Sequence, residues 1–318
     1  MFQKIISMII AAVLGFWGTA GRLAYPAFYK NAEKVADIPG LADGFVPQGT
    51  TYDAETASVL VCGYMEDESA SRLYVIPAAG EVRMLALAKT DGSVYTGHAG
   101  GVTVAGSRVL ISNASTLFML DLAAVREASD GDELRFTGGV RVPCNASFCS
   151  CDGERIYVGE FHGEGYETAE THAVTLSNGE TYQALVFAYA LNEAFFTDEE
   201  TPAPEAAYAV CDHVQGFACL PDGKAALSCS YGLKSASLRF YDASGESDGV
   251  YSGEGYDVPL YILDGARELK TLRLPHMSED LEYTAKGLLI AFESAANKYG
   301  RGFSPFSVGA VMRYTPAF

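Results

Sequence analysis

Apolar residues in this chain fall into short segments punctuated by Gly, Asp, Asn and Ser. That texture predicts many short strands joined by tight turns, with almost no long amphipathic helix. The segments also recur in order. One class opens on a polar or tiny residue and runs through a short apolar strand into a turn: VPQGTTYD (46–53), HAGGVTVAG (98–106), CNASFCSCDG (144–153), HVQGFACLPDG (213–223) and MSEDLEYTAKG (277–287). A second strand of the same character follows each: SVLVCGYM, RVLISNAS, RIYVGEFHG, AALSCSYG and LLIAFESA. Third strands read as SRLYVIP, TLFMLDL, ALVFAYAL, SLRFYD and AVMRYTP, and fourth strands as EVRMLALA, LRFTGGVRV, AAYAVC and LKTLRLP.

Four antiparallel strands recurring along a chain are the sequence form of a β-propeller. The pattern predicts an all-β fold with five four-stranded blades. Six blades are the alternative, which needs one more repeat than the sequence displays. After Glu279 the last repeat offers only three strands, so the ring is expected to be closed by an N-terminal strand near EKVADIPG (33–40). Closure matters because an open ring leaves bare sheet edges. On this reading residues 1–20 are a signal peptide or signal anchor, 21–44 a linker with the closing strand, and 45–318 a single propeller domain. Residues 163–182 and 242–257 interrupt the spacing as insertions, the first with a possible hairpin of its own and the second acidic and Gly-rich.

Charge narrows the partners. A formal net charge of −18 argues against nucleic acid, whose affinity comes from Lys and Arg neutralising phosphates. The apolar stretch Ile5–Trp17 after Lys4, followed by Gly18-Thr19-Ala20, fits an export signal and is short for a membrane span. Secretion or residence in the cell envelope is expected, with membrane attachment only through that segment. Seven Cys form an odd set with no CxxC pair, so zinc spacing is missing and packing inside sheets is the expected role. Cys219 with Cys229, and Cys144 with Cys211, are conceivable pairs.

In a propeller the first strand of each blade lines the axis. Gln48, Asn145, Gln215 and Glu279 are therefore expected to form an inward ring, with Gly100 as a gap. Such a ring can hold water, a divalent cation or the polar groups of a ligand. His98 and His213 stand two residues before their ring positions, and the ends of the second strands add Tyr64, Asn113, Glu160, Phe161, His162, Tyr231 and Glu293 near one rim. Gln48, Tyr64, His98, Asn145, His162, His213, Gln215 and Tyr231 are the expected ligand-binding residues. Glu160, Glu279 and Glu293 are the expected acid and base groups, and two of them about 5 to 9 Å apart would suit glycoside chemistry. No residue set is assigned to a metal. The oxygens of Asp242, Ser244, Glu246 and Asp248 alternate as in a calcium loop, but Ser247 stands where that loop needs Gly and no Glu closes it.

The phrases GFVPQG, GHAGG and SEDLEY with AFESAANKY resemble those of exported bacterial β-propeller proteins of uncharacterised activity. The way the blades begin is also loosely similar to strictosidine-synthase-like and TolB-like propellers. The resemblance implies the fold and no reaction. The expected function is a binding module that takes a small molecule, glycan or protein at the channel mouth. The alternatives are a hydrolase or lyase with carboxylates at the funnel, and a structural envelope protein.

Overall fold

The computed structural model describes residues 20–197, 202–300 and 304–318; the apolar segment Ile5–Trp17 lies outside them. Five antiparallel sheets form the blades of a β-propeller. Blade 1 holds Phe45–Asp53, Ser58–Met65, Arg72–Pro77 and Arg83–Ala88. Blade 2 holds Gly101–Ala105, Arg108–Asn113, Thr116–Asp121 and Gly138–Arg141. Blade 3 holds Phe148–Cys151, Arg155–Gly159, Ala184–Ala190 and Ala206–Val210. Blade 4 holds Val214–Leu220, Lys224–Cys229, Ala236–Asp242 and Glu268–Leu274. Blade 5 takes Ser278–Thr284, Gly287–Phe292 and Ala310–Tyr314 from the C-terminal part, and Ala32–Asp37 as its outer strand. Ala32 pairs with Tyr314 and Asp37 with Ala310, so the two ends of the propeller are stitched by one ladder. The expected closing strand is thus in place.

The short apolar runs are explained by how blades stack. Successive side chains on a strand point to opposite faces, and both faces of each blade are covered by a neighbour. In Ser58–Met65, Leu60 and Cys62 pack toward blade 2 while Val59 and Val61 pack toward blade 5. Leu185, Phe187 and Tyr189 likewise face blade 2, and Ala184, Val186 and Ala188 face blade 4. The result is five apolar clusters, one at each junction between blades. Phe28, in the short helix Pro26–Tyr29, caps the junction of blades 4 and 5, stacked on Tyr314 with ring centroids 6.1 Å apart.

Two outer strands depart from the sequence expectation. The segment LRFTGGVRV, expected as one strand, splits in two. Glu133–Arg135 joins the outer edge of blade 1 in parallel, and Gly138–Arg141 alone completes blade 2. The acidic insertion of blade 4 likewise leaves its own sheet. Its hairpin, Gly249–Gly253 with Tyr256–Ile262, adds to blade 3 through parallel pairing of Tyr256–Ile262 with Ala206–Val210. Both tie adjacent blades together by covering an edge strand. The blade 3 insertion carries the expected small hairpin, Val174–Thr175 with Thr181–Tyr182.

Around the axis the inner strands meet at glycines. A Cβ on Gly49 would lie 2.5 Å from the Val102 amide nitrogen, one on Gly101 2.6 Å from that of Cys149, and one on Gly216 2.6 Å from that of Leu281. Real Cβ contacts are never so short, so these positions need hydrogen as a side chain for the backbones to come together. The Gln-Gly pairs at 48–49 and 215–216 now have a division of labour: the glycine brings the strands together, and the glutamine goes elsewhere.

Candidate functional site

That elsewhere is a cavity of about 400 Å³ at one end of the axis. Its geometry comes from an irregularity in three inner strands. In blade 1, Pro47 pairs with Gly63 and Gly49 with Cys62, which leaves Gln48 as an extra residue. In blade 4, Val214 pairs with Cys229 and Gly216 with Ser228, which leaves Gln215. Blade 5 has the same shift between Ser278 and Leu281, across Glu279 and Asp280. Each is a β-bulge, which bends the strand and re-aims a side chain. Gln48, Gln215 and Glu279 all line the cavity as a result. Blades 2 and 3 pair regularly, and Gly100 and Ser147 take the corresponding places at the wall.

Ser147 corrects the sequence alignment by two residues. Ser147 donates its amide to Gly159 O at 2.8 Å as Gly100 does to Ser112 O at 2.9 Å. Asn145 belongs to the loop before the strand, is exposed, and still reaches the cavity, its amide donating to Glu167 O at 3.1 Å.

One side of the cavity is a connected polar cluster. Glu293 Oε2 accepts from Gln48 Nε2 and from the Tyr299 hydroxyl, both at 2.9 Å. Burial, together with the negative charge of Glu293 beside it, pushes the Glu279 carboxyl well above the usual carboxylate range. Glu293 is raised as well, by burial, with its hydrogen bonds from Tyr299 and Gln48 opposing the shift. Two like charges cannot both ionise in contact. Of the two, Glu279 carries the stronger upward push, so a proton is held more readily there than on Glu293. Lys298 supplies the cation of this wall. Its ammonium donates to the Tyr64 hydroxyl at 2.6 Å and lies over the Tyr64 and Tyr299 rings at 4.8 and 5.6 Å.

Aromatic planes form the other side. Tyr64 stacks on His98 with centroids 4.6 Å apart, and Tyr231 stacks on His213 at 4.7 Å and 9°. Phe161 bridges Tyr166 and Tyr231 at 5.4 and 6.0 Å. Asn113 Oδ1 accepts from the His98 amide at 3.2 Å. The Gln215 side chain has no hydrogen-bond partner among the described residues, so its amide is free to meet whatever enters.

Of the expected ligand-binding residues, the structure brings Gln48, Tyr64, His98, Asn145, Gln215 and Tyr231 to the cavity wall. His213 backs Tyr231 rather than lining it, and His162 is held away by Asp212 Oδ1 at 2.8 Å. The three expected acid and base groups separate. Glu279 and Glu293 meet in the cavity, whereas Glu160 is fully buried outside it. Glu160 is bound by His172 Nδ1 at 2.6 Å and by the Leu185 amide at 3.2 Å. It anchors the blade 3 insertion through His172. Lys298, Tyr299 and Tyr166 went unforeseen because they sit in loops that have no counterpart in the other repeats. Among the described residues no group of three or more His, Cys, Asp or Glu is arranged to hold a metal ion. None of the helices among them is long and apolar enough to cross a membrane.

No protein-family model matches the sequence, and no curated protein matches it. Among solved structures, hydrazine synthase from Kuenenia stuttgartiensis matches 82% of this chain with 13% identity and a TM-score of 0.37; the chain spans 57% of that one. Glutaminyl cyclase from Myxococcus xanthus matches 82% of this chain and 91% of its own, with 8% identity and a TM-score of 0.43. The PQQ-bound aldose sugar dehydrogenase from Streptomyces coelicolor matches 82% and 78%, with 14% identity and a TM-score of 0.43.

Proposed function

We propose that the chain is a binding module for a small, polar, hydroxyl- or carbonyl-bearing molecule seated at the end of the propeller axis. One observation carries this reading: three bulged inner strands each spend an irregularity to turn Gln48, Gln215 and Glu279 into the same cavity. A volume of about 400 Å³ suits a small ligand. Amides both donate and accept, a protonated carboxyl donates, and the faces of Tyr64, Phe161 and Tyr231 offer stacking surfaces. That combination fits sugar-like ligands better than ions. Lys298 gives the same wall a place for a ligand carboxylate or carbonyl oxygen.

The test is a thermal-shift screen of the full chain against mono- and oligosaccharides, sugar acids and polyols, with calcium and zinc as comparison arms. A ligand at about 100 times its Kd stabilises the folded state by about 2.7 kcal/mol. The expected result is a shift with a sugar-type compound that disappears in Gln215→Ala. A shift that survives in Gln215→Ala, or one given only by the metal ions, sinks the reading.

A second reading, acid catalysis in the same cavity, is favoured by the Glu279–Glu293 pair, in which burial and the neighbouring carboxyl raise Glu279 well above the usual carboxylate range. Two-carboxylate glycoside hydrolysis needs groups about 5 to 9 Å apart, and Glu160, the third carboxyl expected for it, lies buried outside the cavity. Glu279→Gln separates the readings: a binding module keeps its affinity within a few fold, and an acid catalyst binds but loses turnover.

A further inference from the structure

The cavity wall built by blade 4 rests on two cysteines whose sulfurs face each other. Cys211 Sγ and Cys229 Sγ are 3.8 Å apart, and among the described residues no other two cysteine sulfurs are in hydrogen-bond contact. Cys211 follows the outer strand of blade 3, Ala206–Val210, and is partly exposed in a loop. Cys229 is the last residue of the second strand of blade 4 and is buried. Each stands two residues from the aromatic wall. His213, reached from Cys211 through Asp212, stacks on Tyr231, reached from Cys229 through Ser230. The Ser230 amide donates to His213 O at 2.8 Å, and Ser230 and Tyr231 both line the cavity.

We propose that Cys211 and Cys229 are a redox modification site: they form a reversible disulfide that staples the His213–Tyr231 wall, with a small-molecule or protein disulfide as the oxidant. The thiolate of Cys211 attacks one sulfur of the oxidant, breaking its S–S bond and releasing one thiol. The sulfur of Cys229 then attacks the mixed disulfide at Cys211, which releases the second thiol. Two protein thiols are oxidised, one disulfide is reduced, and the two protons leave on the two released thiols.

The surroundings assign the order of attack. The hydrogen bond from Cys229 and the positive charge of Arg239 lower the Cys211 thiol, against burial. The same contact and burial raise Cys229. Cys211 is therefore the accessible thiolate and Cys229 the resolving thiol. Bond formation brings the sulfurs to about 2.0 Å, a movement the loop position of Cys211 permits. The conceivable pairs Cys219 with Cys229 and Cys144 with Cys211 are not the ones in contact. Cys219 lies beside Tyr157 and Asp152, and Cys144 beside Glu160.

The proposal is tested without any cavity ligand. The full chain is incubated with oxidised or reduced glutathione, residual thiols are alkylated, and peptides are mapped by mass spectrometry. Backbone amide exchange is followed in parallel. Expected are a peptide pair joined through Cys211 and Cys229, and exchange at residues 212–213 and 230–231 slowed by about tenfold or more after oxidation. In Cys211→Ser, whose substitution is at the partly exposed position, no bond forms at Cys229 and the oxidant leaves exchange unchanged; Cys219→Ser behaves as the parent. Full alkylation of both cysteines after oxidation, persistence of a glutathione adduct on Cys211, or a bond that leaves these amides unchanged overturns the staple.

Discussion

The strand Ser278–Thr284 serves two regions with the same side-chain chemistry and opposite surroundings. Glu279 lines the cavity next to Glu293, although it is itself buried. Asp280 and Glu282 point to the axis beyond it, where the backbones close in on Gly49, Gly101 and Gly216. There Asp280 Oδ2 accepts from the Val102 amide at 3.2 Å, and the Glu282 carboxyl accepts from the Thr103 hydroxyl at 3.3 and 3.2 Å. Both reach across from blade 5 to blade 2. The carboxyls of the axis are a plug that knits opposite blades, while the carboxyl of the cavity keeps a face for a visitor. Residue type alone therefore does not mark a site; the approach of the neighbouring backbone decides.

The sharpest way to break this comparison is to substitute adjacent residues on one strand. Gly216→Ala puts a Cβ 2.6 Å from the Leu281 nitrogen and 2.8 Å from the Asp280 Cα. The obstacles are backbone atoms, which cannot rotate away, so a loss of about 3 kcal/mol in urea unfolding is expected. Gln215→Ala, one residue earlier, removes an unpartnered amide and is expected to stay within about 0.5 kcal/mol. Equal losses from the two would mean that the cavity wall and the axis are one packed unit.

Protonation gives the next test. Burial raises Asp280, with the charge of Glu282 adding to it, and burial raises Glu282 against its hydrogen bond from Thr103. A carboxyl whose folded pKa lies above its unfolded value near 4 holds more protons folded than unfolded between the two values. Its stabilisation is complete below the unfolded pKa and is lost as pH rises toward the folded one, at about 1.4 kcal/mol per pH unit for each proton. Asp53 runs the other way: the upward push of burial is outweighed by Arg126 and Thr56, and its contribution is lost as pH falls below about 4. Unfolding free energy is thus expected to decline from about pH 5 upward. Asp280→Asn combined with Glu282→Gln should flatten that decline, measured by urea unfolding across pH 5 to 8. An unaltered slope in the double variant would show that these axis groups ionise freely.

How much of this was legible beforehand depends on which contacts are local. Blade order and the closing strand followed from repetition, since each repeat must bury the same faces. The bulges were not visible, because an inserted residue changes no residue type. Asn145 was therefore aligned with Gln215, although the unbulged strand of blade 3 places Ser147 there. Glu160 and Glu293 do follow the second strands of their blades in the same way. What separates them is His172, twelve residues beyond Glu160 in an insertion that no other blade has. The cation of the cavity, Lys298, lies in a loop between the second and third strands of blade 5 and has no repeat equivalent. Strand exchange at Glu133–Arg135 was hidden for a related reason: parallel edge pairing leaves no turn signal between partners.

A small effect is expected at Glu279, and it tests the cavity half of the comparison most finely. Glu279→Gln keeps the size of the side chain and a donor facing Glu293 while removing the titrating group. A net change within about 1 kcal/mol at neutral pH is expected. The variant should nonetheless take one proton out of the pH dependence, because burial and Glu293 raise Glu279 in the folded state. With Gln in place, Glu293 still faces a neutral donor and keeps its bonds from Gln48 and Tyr299, so its own value, raised by burial, should stay close to that of the parent. Carbon-13 shifts of the Glu carboxyls during a pH titration read both effects. If no carboxyl resonance with a raised midpoint disappears in Glu279→Gln, Glu279 does not hold a proton in the cavity. The cavity acid would then have no more claim to a role than the acids sealed in the axis.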